Sequence, residues 1–312
     1  MKRQVVVSAP GSTMLFGEHS VLHGGSAVVC AVASRLRVAA SLRDDGRVVI
    51  RSALGNLNTS LSGRLSDATH RFTLALVERW KSRFAGGIEL DIVSDFSHTL
   101  GLGSSAALVV AVAGALRCIS GLPLVPQKMR DECLAVVRDI QGSGSGADLI
   151  ASLYGGVVHY RPATCNVTQL AEDIPICLYY SGYKTATPEV IAKVAAESGR
   201  AVSLYDHLYR LMGECTLGAA FAIRDNNLSK LACCMNIYHG LLESLGVCDR
   251  TLADMVHSLR ESGCHGAKIS GSGLGDCVVA LCSHNGGPVL PGHKMIPITI
   301  AKQGVHLDYF PE

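Results

Sequence analysis

Glycine and serine residues stand directly before the most hydrophobic stretch of the chain, in the segment Gly101-Leu102-Gly103-Ser104-Ser105. Glycine lets a ligand approach the backbone closely, and the first amides of a helix carry unpaired N–H groups at the positive end of its dipole. The segment therefore predicts a phosphate site in which Ser104 and Ser105 contact phosphate oxygens or a magnesium ion. A serine-capped buried helix after a glycine turn is the alternative, and the segment alone does not decide between them.

Two further glycine-containing segments have a similar composition. The stretch Ile269-Ser270-Gly271-Ser272-Gly273-Leu274-Gly275-Asp276 lies between two strand-like segments and carries a glycine at every second position, which is costly in a plain hairpin. A loop that passes close to a ligand explains these glycines better, although a tight turn fits the same residues. We interpret Asp276 as a turn carboxylate. Pro10-Gly11-Ser12-Thr13 opens the N-terminal half in the same manner.

Carboxylates follow glycines at two places. Asp148 comes after Gly142-Ser143-Gly144-Ser145-Gly146 and before an apolar run, so we expect it in the first turn of a helix. There it could accept a proton from a substrate hydroxyl or simply interact with the helix dipole, and the residues alone favour the second interpretation. Glu18 and His19 follow a glycine and suit hydrogen bonding to a hydroxy acid, with a capping turn as the alternative.

Composition limits the class of protein. The chain has 312 residues, 48% hydrophobic and 17% charged, enough for a large core in one or two domains. A net charge of +2 predicts neither a nucleic-acid partner nor a membrane surface, and the apolar run 106–116 is too short to span a bilayer. Twelve cysteines without a C-x-x-C pair argue against a structural zinc site. Reduced thiols and no secretory signal predict a cytoplasmic protein.

Hydrophobic periodicity predicts strands and helices that interleave without a regular strand–helix–strand rhythm, which indicates an α+β fold. Strands are expected over residues 4–8, 27–32, 88–94, 157–161, 267–269, 277–282, 289–300 and 305–310 and within 167–180, with a hairpin of 36–42 and 48–52 about Asp44-Asp45-Gly46. Helices are expected over residues 66–84, 104–119, 127–140, 188–212, 217–234 and 252–262. A boundary near 157–166 divides the chain into residues 1–162, which contain the phosphate site predicted above, and residues 163–312.

The motifs resemble, in order and approximate spacing, the three signatures of the GHMP small-molecule kinases. They are Ala9-Pro10-Gly11-Ser12-Thr13-Met14-Leu15-Phe16-Gly17-Glu18-His19-Ser20-Val21-Leu22-His23-Gly24, Gly101-Leu102-Gly103-Ser104-Ser105-Ala106-Ala107, and Lys268-Ile269-Ser270-Gly271-Ser272-Gly273-Leu274-Gly275-Asp276-Cys277. Within the family the chain is most similar to the mevalonate kinase branch, through residues 17–24, 141–148 and 236–247.

The resemblance implies a GHMP-kinase-like two-domain fold with an ATP site between the domains. It implies ATP-dependent, Mg²⁺-assisted phosphorylation of a small molecule, mevalonate, at its 5-hydroxyl, with Asp148 as the proton acceptor. By the same resemblance, the nucleotide is bound by Gly101, Leu102, Gly103, Ser104, Ser105 and Ala106, with Ser104 and Ser105 at the metal. The substrate is bound by Glu18, His19, Ser145, Gly271 and Ser272.

The chain departs from the family at two functional positions. Ser12 replaces the lysine that the family's first motif pairs with the catalytic aspartate. We therefore expect Ser12, together with a cation from elsewhere in the chain, Lys184, to interact with Asp148. Val137 stands where the family carries its magnesium carboxylate, and Asp139 is out of register with it.

These departures leave alternatives open. One is phosphomevalonate kinase, with cations from Lys184, Arg161 or Lys193 to hold a phosphorylated substrate. Another GHMP kinase that acts on a small hydroxy acid is also compatible with the motifs, as is a non-catalytic, metabolite-binding member of the fold. Many relatives dimerise, so the resemblance also allows a homodimer.

Overall fold

The computed structural model describes residues 4–84, 86–97, 100–282 and 286–309, and these residues form twelve strands and eight α-helices. The strands are β1 Gln4–Phe16, β2 Ala27–Leu42, β3 Arg47–Ser52, β4 Gly55–Ser60, β5 Gly87–Ser94, β6 Val157–Arg161, β7 Asn166–Ala171, β8 Ile176–Lys184, β9 Gly266–Ser270, β10 Gly275–Leu281, β11 Lys294–Ile296 and β12 His306–Tyr309. The helices are α1 Arg71–Trp80, α2 Ser104–Ile119, α3 Pro126–Gln141, α4 Ala147–Tyr154, α5 Thr187–Ser198, α6 Val202–Arg224, α7 Leu228–Ser244 and α8 Arg250–Glu261.

The first sheet has eight strands in the order β12-β1-β2-β5-β3-β4, with β6 on β2 and β7 on β6. β2 organises this sheet because one edge pairs with β1 along most of its length, while the other edge pairs with β6 near its start and β5 near its end. Helices α2 and α4 pack on β1 and β2. α2 carries buried apolar residues on all of its faces, as expected for a helix in the middle of a core.

The second sheet has four antiparallel strands in the order β11-β8-β10-β9, and α7 and α8 pack on it. The α+β class is confirmed, because helices and mostly antiparallel strands occupy both halves of the chain. Sheet membership does not change at residue 162, since β7 and β12 belong to the first sheet. Among the described residues, no helix combines the length and the apolar character that crossing a membrane requires.

The hairpin expected about Asp44-Asp45-Gly46 is wrong. β5 lies between β2 and β3, antiparallel to the first and parallel to the second. The turn bonds to the start of β5 instead, through Gly46 N to Gly86 O at 2.6 Å and Arg43 N to Gly87 O at 3.0 Å. Adjacent strand-like segments predict a hairpin only when no later segment inserts between them.

The first strand is longer than predicted, because β1 continues through Pro10-Gly11-Ser12-Thr13 to Phe16. This segment is therefore a strand with a register shift between Pro10 and Gly11, and not a loop. The amide of Ser12 donates to the carbonyl oxygen of Leu102 at 3.0 Å, which joins the first motif directly to the second.

Three helix predictions and one strand prediction also need correction. The α-helix expected over 66–84 is limited to α1. The helices expected over 188–212 and 217–234 are divided differently, with breaks at residues 199–201 and 225–227. The strand expected over 289–300 is limited to β11. The last predicted strand is present as β12, and its final residue, Phe310, lies outside the described residues.

Candidate active site

A cavity of about 690 Å³ lies where the starts of α2 and α4 meet the glycine loop between β9 and β10. Both helices direct their N-terminal turns to its wall, so their free amides and positive dipole ends face the same space. Side chains from both sheets contact each other beside it, because Thr13 Oγ1 of β1 lies 2.9 Å from Ser270 Oγ of β9. The start of α2 can therefore bind an anion, whereas the first turn of α4 already carries the Asp148 carboxylate.

Asp148 lies in the first turn of α4, as predicted, and its side chain is open to the cavity. Ser12 Oγ donates to Asp148 Oδ1 at 2.8 Å, which fixes one carboxylate oxygen. Water reaches the group from the cavity, but the surrounding protein removes part of its hydration. This burial raises the pKa of Asp148, and the negative charge of Asp276 adds to it, while the Ser12 hydrogen bond and the charge of Lys184 lower it.

Lys184 ends β8 and lines the cavity, and its ammonium pairs with Asp276 Oδ2 at 2.7 Å. The pairing follows from strand register, because Lys184 stands opposite Gly275 in the β8–β10 ladder. Lys184 therefore acts on Asp148 through its field rather than through a direct ion pair. Asp276 is not in the turn, as interpreted from the sequence, but in β10, at the register shift between Gly275 and Cys277 and with φ of 70°. It is also the partner of the candidate cation.

Gly103 precedes α2 with φ of 60°, a conformation that favours glycine. A Cβ atom at this position would lie 1.9 Å from Ser12 Oγ, so no side chain fits between the helix start and the hydroxyl that holds Asp148. Gly103 has no side chain with which to cap α2, and the first turn of the helix carries no acid, so the amides of Ser104, Ser105 and Ala106 face the cavity without a cap from that residue. The apolar body of α2 keeps them in place.

A buried ion pair supports the substrate side of the cavity. Lys268 Nζ donates to Glu18 Oε1 at 2.5 Å, and both side chains are almost entirely inaccessible to solvent. The second oxygen, Glu18 Oε2, is buried and has no hydrogen-bond partner among the described residues. Glu18 is among the residues that line the cavity.

His19 is fixed by its backbone and by its ring. It adopts φ of 58°, and its Nε2 atom lies 2.9 Å from the carbonyl oxygen of Ser272. Burial lowers the pKa of His19, so the ring favours its neutral form. The contact connects the first motif to the third across the cavity, where Gly271 and Ser272 form part of the wall.

Most of the predicted site residues share this one cavity. Those that line it are Asp148, Lys184, Gly103, Ser104, Ser105, Ala106, Glu18, His19, Ser145, Gly271 and Ser272. Three lie outside its lining: Ser12 is buried behind Asp148, Leu102 is buried and accepts the Ser12 amide, and Gly101 lies against Asp276.

The sequence analysis missed two residues of the site: Lys268, which pairs with Glu18, and Arg71. Lys268 gave a signal, since a lysine within an apolar strand needs a buried acid. Arg71, at the start of α1, lines the cavity and gave none.

Comparison with known proteins identifies the same family as the sequence motifs. Residues 68–156 match the GHMP kinases N terminal domain, residues 219–287 match the GHMP kinases C terminal domain, and residues 1–42 match the galactokinase galactose-binding signature. A mevalonate kinase of Thermococcus sibiricus is 32% identical over 98% of both chains. Another, from Pyrococcus horikoshii, is 33% identical over 90% of this chain and 89% of its own. The chain belongs to the GHMP kinase family.

Solved structures show that this GHMP kinase has the fold of its family. A mevalonate kinase crystal structure superposes with a TM-score of 0.78 at 18% identity, covering 96% of this chain and 100% of the other. The Lactococcus lactis galactokinase complexed with galactose gives a TM-score of 0.82 at 18% identity, over 97% of this chain and 95% of its own. At these identities the likeness concerns the fold alone.

The oxygen donors in the cavity of this GHMP kinase fit a magnesium ion. Val137 faces the cavity, whereas Asp139 is exposed and pairs with Arg79 of α1 at 2.5 Å, so Asp139 is not a ligand. Asp148 and the hydroxyls of Ser104 and Ser105 remain at the wall. One carboxylate, a hydroxyl, phosphate oxygens and water form a set that Mg²⁺ accepts.

Proposed function

We propose that this GHMP kinase transfers the γ-phosphoryl group of ATP to the 5-hydroxyl of mevalonate. The observation that carries the proposal is the arrangement of Asp148, held by Ser12, beside the amide-lined start of α2 in one cavity. This arrangement places a proton acceptor next to a phosphate site, which phosphoryl transfer to an alcohol requires. The curated mevalonate kinases that are similar over nearly the whole chain support the choice of alcohol.

The phosphates would bind to the amides of Ser104, Ser105 and Ala106, with Arg71 of the cavity lining supplying a positive side chain. The substrate oxygen attacks the γ-phosphorus while the bond to the β-bridging oxygen breaks, and ADP leaves with that electron pair. The hydroxyl proton passes to Asp148. Ser104 and Ser105 would hold magnesium through their hydroxyls, and the ion would neutralise charge on the phosphate oxygens.

The hydroxy acid would lie toward Glu18 and His19. Glu18 Oε2 has no protein partner among the described residues, so it can accept a hydrogen bond from a substrate hydroxyl. His19 is held by Ser272 O and faces the same space. Polar groups fixed at one end of a cavity orient a small polyfunctional substrate.

The cation distribution favours an unphosphorylated substrate over phosphomevalonate. Of the cations considered for a second phosphate, Lys184 is already paired with Asp276. Arg161 lines a separate cavity of about 230 Å³, and Lys193 is exposed on α5 away from the lining.

A substrate panel tests the proposal. The full chain is incubated with ATP and Mg²⁺ and with mevalonate, phosphomevalonate, galactose or homoserine, and the phosphorylated product is read by mass. We expect product from mevalonate and its loss in Asp148→Asn. Product only from another acceptor would replace the substrate assignment, and absence of turnover with retained metabolite binding would identify a non-catalytic member of the family.

A further inference from the structure

Three side chains of the types that bind metal ions lie close together at the end of α7. His239 and Glu243 are four residues apart on one face of the helix, and Cys248 follows in the turn before α8. One donor atom from each residue lies within 4.8 Å of the others. None of the three lines the active-site cavity described above.

His239 is the unusual member, because its side chain is only 2% exposed. Neither ring nitrogen has a hydrogen-bond partner within the described part of the chain, and Nε2 lies 3.7 Å from Glu243 Oε1. A neutral imidazole has one ring nitrogen with a free lone pair, which is the form that binds a metal ion.

We propose that His239, Glu243 and Cys248 bind one Zn²⁺ ion, with water in the fourth position. A thiolate, an imidazole and a carboxylate are the donors that Zn²⁺ takes in proteins. Tetrahedral Zn²⁺ with bonds of about 2.0–2.3 Å holds its ligand atoms about 3.3–3.8 Å apart, so the donors need to approach by only about 1 Å. The missing C-x-x-C pair argues against a finger-type site and does not apply to this mixed set.

The surrounding charges decide which metals can bind. Arg260 and Lys268 oppose a cation, whereas the Glu243 carboxylate contributes a negative charge and the Cys248 thiol contributes a second one only when it loses its proton. A hard ion such as Mg²⁺ prefers an all-oxygen ligand set and gains little from a thiol and an imidazole. Zn²⁺ displaces the thiol proton on binding and thereby gains the second negative charge.

The position of the site gives it a structural consequence. Val247, next to Cys248, accepts a hydrogen bond of 2.8 Å from Leu274 N in the glycine loop of the third motif. Gly273 lies so close that a Cβ atom there would be 2.5 Å from Val247 O. Zn²⁺ would hold the turn after α7 to the helix and thereby fix the loop whose Gly271 and Ser272 line the active-site cavity.

Metal binding is measured directly, independently of kinase activity. The full chain is stripped with a chelator, then loaded with Zn²⁺, and bound metal is counted by mass spectrometry. We expect one ion per chain, with affinity reduced at least tenfold in His239→Gln, Cys248→Ser and Glu243→Gln. Cys233→Ser, which removes an exposed cysteine of the same helix, is the matched control and retains the ion.

Co²⁺ provides a second readout, because cobalt bound to a thiolate absorbs in the near ultraviolet. This band is expected in the unmodified chain and in Cys233→Ser, and it should disappear in Cys248→Ser. Glu243 is exposed at the helix surface, so its variant tests the site even if the buried His239 variant does not fold. Failure to bind Zn²⁺, or binding that all three variants leave unchanged, overturns the proposal.

Discussion

The ammonium of Lys184 lies 2.7 Å from the carboxylate of Asp276, and the two groups act on Asp148 in opposite directions. Lys184 stabilises the charged form of Asp148, and Asp276 destabilises it. Ser12 stands where the motif resemblance leads us to expect a lysine, and this pair sets part of the electrostatic field at Asp148, the proposed proton acceptor. The role that a single lysine would have is divided between two groups. Ser12 donates a hydrogen bond to Asp148, and Lys184 supplies a positive charge that Asp276 partly offsets.

The first prediction concerns the pH dependence of kcat/KM. A base must be deprotonated, so activity falls as the pH drops through the pKa of Asp148. Asp276→Asn removes a charge that raises this pKa and releases Lys184, so the acid limb should move to lower pH. Lys184→Met removes a charge that lowers it, so the limb should move to higher pH. Shifts in the same direction would contradict this account.

Asp148→Asn is expected to reduce kcat by about 10²–10⁴-fold, the contribution of a positioned base. Its effect on stability should have the opposite sign. Because burial raises the pKa of Asp148, its charged form is less stable in the fold than in the unfolded chain, and removing the charge should raise Tm at neutral pH. Kinetics and thermal unfolding of the same sample check both. A variant with lower activity and lower Tm would point to a structural role instead.

Gly103→Ala tests the contact between the first two motifs. The added Cβ atom meets Ser12 Oγ at 1.9 Å and requires a left-handed backbone, so we expect a loss of about 1–3 kcal/mol in unfolding free energy and weaker ATP binding. Ser12→Ala should restore part of the loss, because the remaining Cβ–Cβ distance is 3.2 Å. Urea unfolding of both single variants and the double variant gives the coupling free energy between positions 103 and 12. Additive effects of the two substitutions would show that the two residues do not interact.

Lys268→Met leaves Glu18 charged and buried without its partner. We expect a destabilisation of about 3–5 kcal/mol by urea unfolding, the usual cost of breaking a buried pair. The double variant Glu18→Gln/Lys268→Met should recover much of this stability, since no unpaired charge remains. It should not recover mevalonate affinity, because Glu18 faces the cavity. Equal instability of the single and double variants would show that packing, and not charge, dominates.

Local sequence signals predicted the elements that carry the site. α2 begins and ends at the predicted residues, because Gly103 precedes it, Gly121 follows soon after, and an unbroken apolar run lies between. Asp148 stands in the first turn of α4 for the same kind of local reason. The family motifs placed Glu18 and His19 beside them, which periodicity alone could not do.

Long-range relationships escaped the same reasoning. The insertion of β5 between β2 and β3 depends on the packing of the whole sheet, so the nearby turn residues gave the wrong partner. The pairing of Lys184 with Asp276 depends on the register between β8 and β10, which no local pattern specifies. Lys184 was therefore identified as a candidate cation, but its compensating acid was not.

The pairing of β12 with β1 joins segments that lie 300 positions apart, as in the hydrogen bond from Ser8 to Asp308. During translation, β1 leaves the ribosome early and must wait for the final segment before that edge is occupied. The edge of β1 thus stays open until residues 306–309 are made, and an open strand edge favours mispairing.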